Sequence, residues 1–414
     1  MRRIGSAGDP KDTFSKVGFA WPNRARQEAG SAVRRGCVYA TARGVKHVRA
    51  GGFVSRAPEL TFQQTIPRRL VHRAAVSEVF LTDAVALEDD HFVIAAQWPR
   101  DHALYHPDPA GRSDPLLFAE TVRQALVYVA HWHYGVPLER RFVGRDMHLV
   151  IDDPDALRVG GEPLPVVLDV RWFGVGNDSP RRRGMRIEAE LRVAGVVCGR
   201  GGLSVVAVDE SYYRRLRRRP GGVPPAGRPA GATGRFAGFP GGRVAGHPGR
   251  VAGSSVGRLR EKDSVLMTGE RPGEWLLAAD LDHAILFDHP TDHVPLMVVF
   301  EGFRQLGHLL VNAAEASPAP PSATHSPAPS AGAGPYVLVA LESECRAWAE
   351  LDVPTRLVVR SDRGAGDRTG ARELAVDAVQ RDAVVMTSTM VWAPARTSSP
   401  APSGRSSVES GSRR

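Results

Sequence analysis

The chain is poor in three things, and each shortage excludes a class of protein. It has only three cysteines, Cys37, Cys198 and Cys345. They are far apart, odd in number and in no Cys-x-x-Cys spacing, so neither a disulfide framework nor a zinc site is expected, and a reducing cytoplasm fits. Apolar runs are short as well: none approaches the roughly 20 residues that a membrane-spanning helix needs, so a soluble protein is expected. Arg2-Arg3 opens the chain, but no apolar stretch follows before Val17 and Lys16 interrupts what does, which argues against a secretory signal. Lysine is nearly missing: Lys11, Lys16, Lys46 and Lys262 are the only ones among 54 basic residues. The net charge of +9 is therefore arginine charge. With abundant Ala, Gly and Pro, it matches the codon composition of a GC-rich genome better than a phosphate-tracking surface. No helix-turn-helix pattern is present, and DNA binding is discounted.

What the chain does contain is a repeat. Glu120-Thr121-Val122-Arg123-Gln124 recurs as Glu301-Gly302-Phe303-Arg304-Gln305, each time inside a greasy segment, Pro115 to Ala130 and Pro295 to Leu310. A helix apolar on nearly every side is a buried helix. At about 100° per residue the Glu, Arg and Gln of each copy share one sector roughly 100° wide. Charges in such a helix must be paired or functional. The structural alternative is an i,i+3 Glu to Arg pair that holds two repeats together.

Each copy has the same surroundings. Val71 to Leu81 and Phe92 to Trp98 read as a strand hairpin with turn chemistry at Glu88-Asp89-Asp90. Asp114-Pro115 is an N-cap followed by proline at the first helical position, and Gly135-Val136-Pro137 stops a helix that runs to about His133. His131-Trp132-His133 lacks a third ligand and reads as a helix end, not a metal site. Met147 to Ile151, Val166 to Phe173, Met185 to Val193 and Val196 to Val208 follow as strands, the last two joined at Ala194-Gly195. The second copy predicts a hairpin at Ser264 to Thr268 and Trp275 to Ala279, a helix, and strands at Tyr336 to Leu341, Thr355 to Val359, Glu373 to Val379 and Ala383 to Trp392. The result is an α+β protein of two like domains, 57–212 and 251–394. A disordered tail at 1–56, a Pro, Gly and Arg-rich linker at 213–250, a low-complexity insertion at 315–335 and a mobile tail at 395–414 complete the expectation.

Leu286 to Pro295 places His289 and His293 with Asp288 and Asp292 directly before a helix start, where free N–H groups and the helix dipole suit acyl chemistry. A carboxylate two turns into an apolar helix has a raised pKa unless an arginine compensates, so Glu301 is a candidate base. Arg304 is a candidate for binding phosphate or carboxylate, or for fixing Glu301.

A hairpin, a Pro-containing loop and a long helix wrapped by strands, twice in tandem, resembles a double hot-dog fold. Leu70 to Thr82, Gln97-Trp98-Pro99-Arg100, Asp114 to Leu117 with Glu120 to Gln124, and Leu286 to Pro295 together resemble the A-factor biosynthesis family of actinobacteria over roughly residues 58–394. The resemblance implies an acyltransferase in γ-butyrolactone signalling, joining a β-ketoacyl thioester on acyl carrier protein or coenzyme A to the hydroxyl of dihydroxyacetone phosphate or a similar glycerol-type acceptor. It implies no cofactor and no metal. Carried over by position, Glu120, Glu301 and Arg304 are the expected catalytic residues, one Glu drawing the hydroxyl proton. Arg123, Gln124, Gln305, His289 and His293 are expected at the substrate. Leu296 stands where the hot-dog pattern has Gly, which puts the second site's pocket in question. A hot-dog thioesterase or dehydratase and a non-catalytic lactone sensor are the alternatives. Internal pairing of the two units makes a monomer plausible beside a homodimer.

Overall fold

Among the described residues, alternating apolar residues give twelve strands, and two nearly all-apolar segments give two buried helices for those strands to cover. The computed structural model describes residues 59–176, 179–218, 249–313, 336–364 and 370–395. The expected N-terminal tail, the insertion at 315–335, and most of the linker and C-terminal tail lie outside them.

The first copy contributes β1 (Leu81–Glu88), β2 (His91–Trp98), helix α1 (Pro115–Trp132), β3 (Arg141–Ile151), β4 (Leu164–Gly174), β5 (Arg182–Val193), β6 (Val196–Val208) and a short helix α2 (Glu210–Leu216). The second contributes β7 (Leu266–Thr268), β8 (Trp275–Leu277), helix α3 (Leu296–Ala313), β9 (Tyr336–Cys345), β10 (Thr355–Gly364), β11 (Arg372–Gln380) and β12 (Ala383–Pro394). All twelve strands form one sheet in the order β1-β2-β4-β5-β6-β3-β9-β12-β11-β10-β8-β7. Read from either edge the order is the same within a copy, so the sheet is two equal halves joined back to back. The seam is an antiparallel β3–β9 ladder with Leu149 opposite Leu341 and His148 opposite Glu342. Each long hairpin closes in a two-residue turn with both φ angles positive, Ala194-Gly195 in one and Arg381-Asp382 in the other, which matches the strand twist.

Helix α1 starts as its sequence predicts. Asp114 Oδ1 accepts from Leu116 N at 2.8 Å, and Pro115 occupies the first helical position. Phe118, Phe300, Phe303, Trp98 and Trp392 are fully buried, and one apolar core runs through both halves. Close helix-to-sheet contact in the second half depends on Gly307, because a Cβ there would lie 2.6 Å from the Trp392 ring. No helix among the described residues is long and apolar enough to cross a membrane.

Two expectations need correction. Val71 to Leu81 is not a strand: it holds 3-10 turns at Arg68–Val71 and Val76–Glu78, and β1 begins only at Leu81. Hydrogen bonding to side chains of other elements replaces a ladder there. The stretch Arg214 to Arg219 is not wholly a solvated linker either. Its start belongs to α2, and Arg217, 3% exposed, reaches Glu350 at 2.8 and 2.9 Å and the Asp292 carbonyl at 2.7 Å. A guanidinium fork that finds two carboxylates docks on the second half and is no longer free in solvent.

Candidate active site

Glu120 and Glu301 are both completely buried, and each sits at the centre of the same four-charge cluster. Around Glu120, Arg123 donates from Nε at 2.9 Å and from Nη2 at 2.7 Å, Arg73 approaches at 2.7 Å, and Gln124 Nε2 donates at 2.8 Å. Around Glu301, Arg258 donates from Nε at 2.7 Å and from Nη2 at 2.5 Å, and Gln305 Nε2 donates at 2.5 Å. Arg304 Nε lies 3.5 Å from Glu301, within ion-pair range, but makes no hydrogen bond. The fourth charge crosses between copies. Arg258 donates to Asp114 at 2.8 Å and to the Leu104 carbonyl at 2.7 Å in the first copy. Asp288 of the second copy accepts from Ala74 N at 2.6 Å and Ala75 N at 3.0 Å in the first. Two arginines and two carboxylates make each cluster neutral, as buried charges require.

Gln124 and Gln305 are spacers. Each accepts from one backbone N–H, that of Phe80 or Val265, and donates to one carbonyl, that of Glu78 or Asp263. They pin the segment that carries Arg73 or Arg258 to its helix.

Glu120 and Glu301 are not disposed as bases. Burial alone would raise the Glu120 carboxyl, but Arg123 and Arg73 outweigh it and bring its pKa down to about 2. Both oxygens of Glu301 are taken by Arg258, and Gln305 shares one of them. The expectation of proton abstraction by either glutamate therefore loses its geometric basis. What sequence reading missed is Arg73 and Arg258, one per copy, and a signal for them exists. Arg73-x4-Glu78 and Arg258-x4-Asp263 repeat at the same distance before an apolar pair, Phe80-Leu81 and Val265-Leu266.

A cavity of about 750 Å³ opens between the start of α1 and the polar face of α3. Arg304, His308 and Asn312 line it from α3, His106 and Asp114 from the loop before α1, and Ile151, Leu157, Leu338 and Trp392 give it an apolar wall. Arg258 also faces it, but all its nitrogens are engaged. Arg304 is different: Nη2 donates to the Val256 carbonyl at 2.7 Å, while Nε is buried with no hydrogen-bond partner. Burial and the neighbouring Arg258 lower its pKa, against the opposing pull of Glu301 at 3.5 Å and Asp114 at 4.0 Å. The helix start does not serve as an oxyanion hole here, because Asp114 already occupies the Leu116 and Leu117 amides.

His289 and His293 do not join Arg304. His289 is half-exposed beside Asp288 at 3.5 Å, and His293 bonds Asp292 at 2.8 Å and stands edge-on to Trp348. The loop before α3 faces Arg73 of the first copy and is covered by α2, whose Tyr213 hydroxyl donates to Asp292 at 2.6 Å. The two copies also differ just before the cluster arginine. Gly257, φ 66°, leaves space there, and a Cβ would lie 2.8 Å from the His308 ring. Its counterpart His72, φ 53°, fills that space with a ring that meets His131 and Phe142 at centroid distances of 4.8 and 5.1 Å.

These buried groups set an acid limit. Burial, then His131 and Arg123, hold His72 neutral with a pKa down at about 3. The unfolded chain takes up that proton below pH 6.5 and the folded one does not, so stability falls with pH from 6.5 toward 3. Glu120 acts in the same direction: its contribution is present above pH 4.5 and is lost as pH falls toward 2. Urea unfolding between pH 7 and pH 4 should therefore show a continuous loss, and His72→Leu should flatten its upper part. An unchanged slope in that variant would remove His72 from the account.

A family model described as the A-factor biosynthesis hotdog domain matches residues 55–209 and 242–395. A Streptomyces virginiae protein named 2-oxo-3-(phosphooxy)propyl 3-oxoalkanoate synthase is 36% identical over 321 residues, 78% of this chain and 95% of its own length. A Streptomyces griseus protein of the same name is 32% identical over 250 residues, 59% of this chain and 75% of its own. Among solved structures, the 12:0-ACP thioesterase from Umbellularia californica aligns with 73% of this chain and 94% of its own at 12% identity. Its TM-score of 0.38 is too low to support a conclusion.

Proposed function

The chain belongs to the A-factor biosynthesis hotdog family, and on that premise we propose that it esterifies the hydroxyl of dihydroxyacetone phosphate with a 3-oxoacyl group delivered as a thioester. The product, a 2-oxo-3-(phosphooxy)propyl 3-oxoalkanoate, is the compound for which its Streptomyces relatives are named. It is a precursor-forming acyltransferase of γ-butyrolactone signalling, built on a tandem hot-dog fold.

One observation carries the reading: the cavity has a hydrogen-bond-deficient guanidinium on one side and an apolar wall on the other. Arg304 suits the acceptor phosphate, since a guanidinium fork matches phosphate oxygens and its burial strengthens the contact. Ile151, Leu157, Leu338 and Trp392 suit the acyl chain. Glu301 serves this arrangement from behind, holding Arg258 and, through it, the loop that carries Asp114. The chain has one working centre, in this cavity, because His72, His131 and α2 occupy and cover the counterpart position.

The direct test is mass spectrometry of the purified protein incubated with a 3-oxoacyl thioester, on acyl carrier protein or coenzyme A, and dihydroxyacetone phosphate. The expected product is the phosphorylated ester, formed only when both substrates are present. Release of free 3-oxo acid without ester would replace the transferase with a thioesterase.

A further inference from the structure

Transfer to a hydroxyl needs a group that takes a proton and a group that steadies the oxyanion, and neither glutamate is placed for either task. Two histidines line the cavity, and the hydrogen bonds of each fix which ring nitrogen carries its proton. His106 Nδ1 lies 2.9 Å from the Pro107 carbonyl oxygen. A carbonyl only accepts, so Nδ1 bears the proton and Nε2 of the neutral ring is a bare lone pair. That Nε2 is buried and has no hydrogen-bond partner.

His308 has the opposite tautomer. Tyr336 N donates to Asn312 Oδ1 at 3.0 Å, which makes the other amide atom the nitrogen. Asn312 Nδ2 donates to the His308 carbonyl at 3.0 Å and to His308 Nδ1 at 3.3 Å. With Nδ1 accepting, a neutral His308 carries its proton on Nε2. Burial, then Arg304 and Arg258, lower the pKa of this ring to about 4, so it is neutral at pH 7. Gly257 leaves the room in which the ring stands.

We propose that His106 is the general base toward the acceptor hydroxyl and that His308, held by Asn312, is the neutral hydrogen-bond donor to the thioester carbonyl oxygen. The proposal rests on the transferase reading above. His106 Nε2 takes the hydroxyl proton as the acceptor oxygen forms a bond to the thioester carbon. The carbonyl π pair moves to oxygen, and the resulting oxyanion accepts from His308 Nε2–H. Collapse re-forms the carbonyl and breaks the C–S bond, and the leaving thiolate takes the proton from His106. Ester and free thiol are the products, with no acyl-enzyme, no redox change and no water consumed. The sequence carried a signal for the base, since His106-Pro107 repeats as His289-Pro290.

The test measures ester formation by the full chain and by His106→Ala, His308→Ala and His308→Gln. His106→Ala should lower kcat by about 10²- to 10⁴-fold with KM little changed, and added imidazole should restore part of the loss. His308→Ala should cost about 10²- to 10³-fold, and His308→Gln, which keeps a side-chain N–H, should recover part of it. If His106→Ala lowers the unfolding midpoint, His106→Asn repeats the test with an N–H for the Pro107 carbonyl and no basic nitrogen. A His106 variant within about threefold of the parent overturns the proposal. So does a loss that imidazole leaves unrepaired, which would assign His106 a packing role. A parent protein that makes ester while these variants also do so leaves the transferase reading standing; a parent that makes none removes both.

Discussion

On the proposed reaction, Arg304→Met should abolish a preference for a phosphorylated acceptor. Arg304 lines the cavity, keeps a buried Nε without a hydrogen-bond partner, and has no carboxylate bonded to it in the way Arg258 has Glu301 and Asp114. A hydrogen bond between charged partners contributes about 1.5 to 3 kcal/mol each, so losing one is worth about 10- to 150-fold in kcat/KM for dihydroxyacetone phosphate. The informative comparison is with unphosphorylated dihydroxyacetone, on which the variant and the parent should differ little. Arg304→Lys should fall between them, because an ammonium supplies charge without the planar fork. If Arg304→Met keeps the parent's ratio of kcat/KM between the two acceptors, the phosphate binds elsewhere.

Glu301→Gln should be the most damaging single change to stability in the second half. It leaves Arg258, 2% exposed, with Asp114 as its remaining bonded carboxylate and with Arg304 close by. Removing one partner of a buried ion pair costs about 3 to 5 kcal/mol, because the surviving charge stays desolvated. Urea unfolding would read this as a lower midpoint. Adding Arg258→Met to Glu301→Gln should recover part of the loss, and the double-mutant cycle isolates the pair from the packing change. Since Arg258 also ties down Leu104 and Asp114 of the first copy, the loss should appear in the unfolding of both halves together. A Glu301→Gln protein within about 1 kcal/mol of the parent would show that solvent or a neighbour compensates Arg258 and that the cluster does not couple the copies.

The two expectations rest on parts of the molecule that were unequally visible in the sequence. Duplication was plain, because Glu-x-x-Arg-Gln inside an apolar run is a local pattern and local patterns survive in a one-dimensional reading. So were the start of α1 at Asp114-Pro115, the hairpin at Ala194-Gly195, the hairpin of Ser264 to Ala279, and the tandem architecture, since caps, turns and strand alternation depend on neighbours a few positions away. The resemblance built on those motifs led to the family and to the reaction proposed for it.

Partners were not visible in the same way. Helical periodicity places Glu301 and Arg304 on one sector, but nothing within their own helix says that Arg258, 43 positions earlier, takes both oxygens of Glu301. Nor does it say that the same arginine reaches back 154 positions to Leu104. The sequence alone determined that each buried helix carries a carboxylate needing a cation, since an unpaired charge there is untenable. Tertiary structure decided which cation answers it. By crossing the loops between copies it put Asp114, not the loop with His289 and His293, beside Arg304. It also left the cavity beside α3 open, where Gly257 has no side chain and its counterpart His72 has a ring. A carboxylate's need for compensation is a property of its environment's polarity, which composition reveals; the identity of the compensating group is a property of distance, which only the folded chain possesses.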